Sequence, residues 1–349
     1  MGLPTDQPPA ASIAATTDVC IGQAHDGPVE DFLDVARVAA GMGYRRIWIG
    51  ETYKVDAMVF MAGLVRELPG QRLGVGPMPL PLRTAAQLTM AAATLRGLGH
   101  PEPIEFLLGA SSPAMTEGWN GRPMTTLAAT EALFAGVRQA AGGSRTEIEH
   151  PHARSHGFVN GLGPVDLRLG LAAAGPRMLR LAGRIADRVA FNMVSVQQAA
   201  EMAEVVAAGA EEAGRPCPPI TVWVHCCCDP DEETVARGKR FLSGYVRAPG
   251  YRDVIAGQGF ESVIAAAAQA GNARAIRELI PTEMLQQVLG YGTASEIQQR
   301  VRAFRALGLE TAVVPSITHD RGGRACLAAI AALDTAQAGT AAPAGEVAR

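Results

Sequence analysis

Short runs of β-branched and other apolar residues alternate along this chain with longer stretches whose apolar positions recur every three or four residues. DVCIGQ (18–23) predicts a first strand. The stretch at 28–43 then gathers Phe32, Val35, Ala36 and Ala39 on one helical face and stops at Gly43. The rhythm continues with strand 44–51, helix 56–67, strand 72–78, helix 84–98, strand 104–111, helix 124–141 and strand 165–174. Helix 176–186, strand 188–193, helix 196–214, strand 221–228 and helix 231–246 follow. After a less regular helical stretch at 253–290 come a strongly periodic helix at 295–308, a strand at 309–316 and a last helix at 322–334. Eight strands, each followed by a helix, predict an α/β chain folded as a (β/α)8 barrel rather than an open sheet. No repeat of fixed period accompanies the alternation.

Two segments interrupt it. Residues 142–164, GGSRTEIEHPHARSHGFVNGLGP, are too long and too polar for a plain connection and read as an active-site lid. Residues 248–290 read as a second insertion. The single barrel is expected to run from 15 to 335, with loose tails at 1–14 and 336–349. Barrel enzymes place their chemistry at the carboxyl ends of the strands. That rule selects His25, Glu51, Thr52, Tyr53, residues 76–81, Ser111, Ser112, residues 175–178, Asn192, Asp229 and Ser316.

With 48% hydrophobic residues the chain can bury a large core. A net charge of −3 without a basic stripe speaks against nucleic acid, and no long apolar run predicts a membrane span. The N-terminus lacks the basic region and apolar core of a secretory signal, which predicts a cytoplasmic protein. Of six cysteines, three are adjacent at 226–228. Successive strand side chains face opposite ways, so these cysteines, even with His225 beside them, predict free thiols rather than a zinc site.

Residues 172–192, AAAGPRMLRLAGRIADRVAFN, carry the most specific local signal. Pro176 suits the first position of a helix, where a missing N–H is no loss. Gly175 lets the backbone pass close to a neighbour with no Cβ in the way. A helix start offers unpaired N–H groups and partial positive charge, which favour a phosphate or carboxylate. An ordinary strand-to-helix turn has the same local pattern.

The order IWIGE, LGVGPMPLPLRTAAQLTMAAATLRGL, FLLGAS, AAAGPRMLRLAGRIADRV and YGTASEIQQRVRAFRALGLETAVV resembles the luciferase-like monooxygenase superfamily over about residues 15–335. Its AAxGPxMLxLAGxxAD string is most similar to members that use the 5-deazaflavin coenzyme F420, such as methylenetetrahydromethanopterin reductases. The resemblance implies that Ala174, Gly175, Pro176, Arg177 and Met178 hold the phosphate of the coenzyme tail. It also implies a bulged third strand whose cis peptide supports the back of the ring. Aligned on Arg83, that bond falls at Gly76–Pro77. Ser111, Ser112 and Asn192, at neighbouring strand ends, are further expected coenzyme contacts.

Departures from the family pattern bear on the proton. Glu51-Thr52 stands where relatives commonly carry an Asp/Glu-His pair, and Ser111-Ser112 stands where some carry a Glu. Glu51, with Thr52 and His25, is therefore the preferred catalytic set, ahead of Tyr53 and the segment histidines His150, His152 and His156. Asp187 matches the family's Ala-Asp-Gly motif, while Arg188 replaces its glycine. The implied activity is hydride transfer between reduced F420 and a C=C, C=N or C=O group of a small organic substrate, in a homodimer. A monooxygenase using flavin mononucleotide (FMN) and a non-catalytic coenzyme-binding barrel are the alternatives.

Overall fold

Eight parallel strands close on themselves in the computed structural model, which describes residues 13–21, 27–248, 250–315, 317–318 and 323–339. They are β1 Asp18–Ile21, β2 Ile47–Ile49, β3 Leu73–Pro79, β4 Ile104–Gly109, β5 Leu167–Ala172, β6 Arg188–Asn192, β7 Ile220–His225 and β8 Glu310–Val314. Each pairs with the next in chain order, and β8 returns to β1. The (β/α)8 barrel expected from the alternation is thus the fold.

The longer helices are α1 Val29–Gly41, α2 Ala57–Glu67, α3 Ala85–Gly97, α4 Leu127–Ala141, α5 Pro176–Ile185, α6 Val196–Glu212, α7 Glu232–Ser243, α8 Ala294–Ala306 and α9 Arg324–Gly339. One differs in role from the expected rhythm. It is α8, not α7, that packs between α6 and α9 as the seventh helix of the outer ring. Helix α7 belongs to an excursion from the end of β7 to the start of α8, longer than the insertion expected at 248–290. Short helices at Tyr251–Ile255, Glu261–Gln269, Ala273–Leu279 and Thr282–Leu289 complete it, and Cys227–Cys228 pairs with Tyr291–Gly292 at its base. Each of these helices is too short to be stable alone. They bury Leu242, Ile255, Ile276, Met284 and Leu289 in a second apolar core over the carboxyl ends of β6 and β7.

Segment 142–164 lies at the opposite end. It connects the end of α4 to the start of β5, so it sits on the amino-terminal face of the barrel. Arg96, in the last turn of α3, donates to the carbonyls of Leu162 and Pro164, and the Val165 amide bonds Ala141 O at 2.9 Å. A small hairpin pairs Glu147–Ile148 with Ser155–His156, and the His156 ring bridges Glu147 and Glu149. The lid expectation is therefore corrected. Length and polarity identify a long connection, but its position after a helix and before a strand puts it, with His150, His152 and His156, away from the strands' carboxyl ends.

Side chains inside the barrel form layers. The middle layer is apolar and includes Cys20, Trp48, Leu107, Ala190, Trp223 and Ala312. Beneath it, three arginines and three acids alternate in a closed ring. Arg45 meets Asp18 and Glu310 at 2.7 Å each, and Arg188 meets Glu310 and, at 3.4 Å, Glu105. Arg46 closes the circuit on Glu105 at 2.7 Å and Asp18 at 3.7 Å. Asp18 also accepts from the Trp48 indole at 2.9 Å, tying the two layers together. Arg188, which breaks the Ala-Asp-Gly pattern, is a member of this ring. A cavity of about 230 Å³ opens beside it, lined by Trp48, Glu105, Arg168 and Arg188 among others.

Candidate active site

The carboxyl ends of β3, β4 and β5 carry small residues. The Gly76–Pro77 bond is cis, as expected from the alignment on Arg83, and the β3–β4 register slips between Val75 and Met78. Gly76 has φ +131°, and a Cβ there would lie 2.1 Å from the Leu107 carbonyl, so only glycine fits. One layer up, a Cβ at Gly109 would sit 3.4 Å from Pro77 Cβ and 3.5 Å from Ala172 Cβ. Pro77, Gly109 and Ala172 therefore adjoin as a small-residue floor at the mouth of the barrel. Ala172 continues directly into the next element of the site.

That element is the start of α5. Gly175 is the N-cap in extended conformation, Pro176 follows at the first helical position, and no side chain caps the helix. Gly175, Pro176 and Arg177 are exposed, while Ala174 and Met178 are half-buried. A Cβ at Gly175 would meet nothing within 4 Å, so the space beside the first-turn amides is open. The rest of the string serves packing. A Cβ at Gly183 would fall 2.1 Å from Val206 O, and one at Gly209 equally close to Arg180 O, so α5 and α6 cross backbone to backbone. Asp187 accepts from the Leu169 amide at 2.9 Å.

Glu51 follows β2 and is nearly buried. Both its oxygens accept from Arg83 Nη2, and Oε2 also accepts from the Ala57 amide at 3.3 Å, anchoring the start of α2. Burial pushes its carboxyl above the usual range, against the pull of Arg83. Thr52 is half-buried next to it, and Tyr53 is 70% exposed. After β4, Ser111 holds φ +66° and donates to Met115 Sδ, while Ser112 Oγ accepts from the Met115 amide at 3.3 Å. Asp229 is exposed with φ +49°. His25 and Ser316 lie outside the described residues.

Across the mouth, Asn192 at the end of β6 bridges two groups absent from the strand-end selection. His225 Nε2 contacts Asn192 Oδ1 at 2.9 Å, and Asn192 Nδ2 donates to the Tyr251 hydroxyl at 3.0 Å. Burial, aided by the charge of Arg300, drops the His225 pKa to about 3, so this imidazole is neutral. Phe241, Tyr245 and Tyr251 continue from His225 as an aromatic wall, with successive ring centroids 5.6, 5.0 and 4.9 Å apart. Strand alternation holds the signal for His225, which follows the inward Thr221 and Trp223 at a spacing of two. Tyr251 had no such signal, because its place depends on how the excursion folds back.

The family model described as Luciferase-like monooxygenase matches residues 11–311 of the chain. A 5,10-methylenetetrahydromethanopterin reductase from Methanolobus tindarius is 25% identical over 213 residues. That match spans 59% of this chain and 63% of the relative, less than two thirds of the relative's length. A solved coenzyme F420 dependent tetrahydromethanopterin reductase from Methanopyrus kandleri superposes with a TM-score of 0.73 at 19% identity, covering 91% of this chain and 98% of that one. An F420-dependent secondary alcohol dehydrogenase, in complex with an F420-acetone adduct, gives a TM-score of 0.71 at 14% identity over 91% and 99% of the two chains. At these identities the two structures share a fold with this chain.

Proposed function

Since the chain belongs to the luciferase-like monooxygenase family, we propose that it is a coenzyme F420-dependent oxidoreductase acting on a C=C, C=N or C=O group of a small organic molecule. The observation that carries this reading is the floor of Pro77, Gly109 and Ala172, joined through β5 to the open start of α5. A flat ring fits a floor without side-chain bulk, and a phosphate fits first-turn amides that no side chain caps. Pro77, Gly109 and Ala172 would support the ring, and residues 174–178 would hold the tail. A reduced deazaflavin bound there supplies two-electron hydride chemistry.

The chain's own residues set the rest. Glu51 and Arg83, paired with each other, fix the loop after β2 beside the floor. The anchoring role of Glu51 follows from those partners, since its carboxylate is committed on both oxygens. Thr52, Ser111 and Ser112 offer hydroxyls where relatives carry ionisable groups, so the proton comes from a hydroxyl or a water held by one. The aromatic wall over β6 and β7 excludes water from the far side of the mouth.

Substitution at Gly109 tests the floor. Its Cβ position makes only ordinary contacts, so Gly109→Ala is expected to fold and bind F420 nearly as the parent does. Gly109→Leu, filling the floor, is expected to weaken F420 binding about tenfold or more, equivalent to about 1.4 kcal/mol, with its melting temperature close to that of Gly109→Ala. Equal F420 affinity for the leucine variant in a fluorescence titration would take the ring off this floor.

A further inference from the structure

The geometry points to the Tyr251 hydroxyl as the hydrogen-bond donor that orients the substrate, which is then a molecule with a carbonyl oxygen or imine nitrogen on an apolar body. This rests on the reading above that the barrel mouth is the substrate site. Hydrogen-bond direction leaves the Tyr251 proton available. Asn192 ends β6 and His225 ends β7; Asn192 Oδ1 accepts from His225 Nε2 while its Nδ2 donates to the Tyr251 hydroxyl. A phenol oxygen that accepts in this way still has its own proton to give. Among the described residues none accepts it.

Placement supports the same assignment. Ala190 on β6 is the register partner of Ala172 on β5, so Asn192, two residues further on, borders the small-residue floor. Tyr251 thus offers a donor at the edge of the place where a flat ring would lie. Burial raises the Tyr251 pKa, against the opposing bond from Asn192, so the phenol stays protonated as a neutral donor. Beside it, the rings of Tyr245 and Phe241 supply an apolar surface for the body of the ligand. Donor and wall come from the excursion after β7, while Asn192 and His225 come from the barrel. The excursion therefore shapes substrate selection by where it sets one hydroxyl.

Cyclohexanone labelled with carbon-13 at the carbonyl is a suitable probe, read by isotope-edited infrared spectroscopy with and without F420. The bound carbonyl stretch is expected at lower frequency in the parent protein than in Tyr251→Phe. The dissociation constant of cyclohexanone should rise roughly three- to tenfold in that variant. Phenylalanine keeps the ring contact with Tyr245, and a matching melting temperature verifies the fold. Asn192→Asp should also lose the downshift with the phenol still present, because its carboxylate draws the hydroxyl proton to itself. The proposal is overturned if cyclohexanone shows no saturable binding, if parent and Tyr251→Phe give the same stretch, or if the downshift persists in Asn192→Asp. An F420 titration on the same samples reports separately on the coenzyme. Failure there, with the Tyr251-dependent shift intact, removes the coenzyme reading and leaves the donor in place.

Discussion

Glu51 commits its carboxylate to Arg83 and to the amide of Ala57, so removing its charge strands a guanidinium whose side chain is only 18% exposed. Breaking a buried pair from one side is costly because the remaining charge loses its partner. Glu51→Gln is expected to destabilise the protein by about 3 kcal/mol while leaving the shape of the pH–rate profile unchanged. Thermal melts and a pH series check both halves. Disappearance of one limb of the profile would instead make Glu51 the acid. The sequence places Glu51 correctly at a strand end. Its partner is hidden there, because Arg83 stands at the end of a different strand and nothing local couples the two. His225 was within reach of strand alternation alone, whereas Tyr251 depends on tertiary folding of a long excursion.

Within the string from 172 to 187, two glycines stand in opposite surroundings. Gly183 lets α5 rest on α6, and any Cβ there would run into the Val206 carbonyl. Gly183→Val is expected to cost about 1–3 kcal/mol of stability, the usual penalty for overpacking, read as a lower denaturant midpoint. Gly175 has open space beside it. On the proposed tail site, Gly175→Val should therefore leave stability nearly unchanged while weakening F420 binding about tenfold, because the added bulk would stand beside the first-turn amides. If the two variants exchanged these phenotypes, the division of labour within the string would be wrong. Both glycines are visible in the sequence, but only the helix crossing tells them apart. The same is true of α7. Its periodicity predicts a helix correctly, yet periodicity alone does not say whether a helix joins the outer ring or the excursion.

For the whole molecule, the barrel separates a charged end from a small-residue end. Burial opposes ionisation of Glu310, but Arg45 and Arg188 outweigh it and hold the pKa at about 2. A carboxylate with a depressed folded-state pKa stabilises the fold above its ordinary value of 4.5, and that contribution is lost as pH falls from 4.5 toward about 2. The melting temperature should drop across that window, and Glu310→Gln should melt lower at neutral pH with a shallower fall in acid. An equally steep fall in the variant would remove Glu310 from the account. Strand order and barrel closure were legible because the β-branched runs are regular. The face occupied by segment 142–164 followed from its place between a helix and a strand, which its composition does not show. Titrating the purified protein side by side with F420 and FMN decides the proposal that the small-residue end holds a deazaflavin. The expected outcome is saturable F420 binding that excess FMN does not displace. Tight FMN binding with no saturable response to F420 would overturn the deazaflavin proposal.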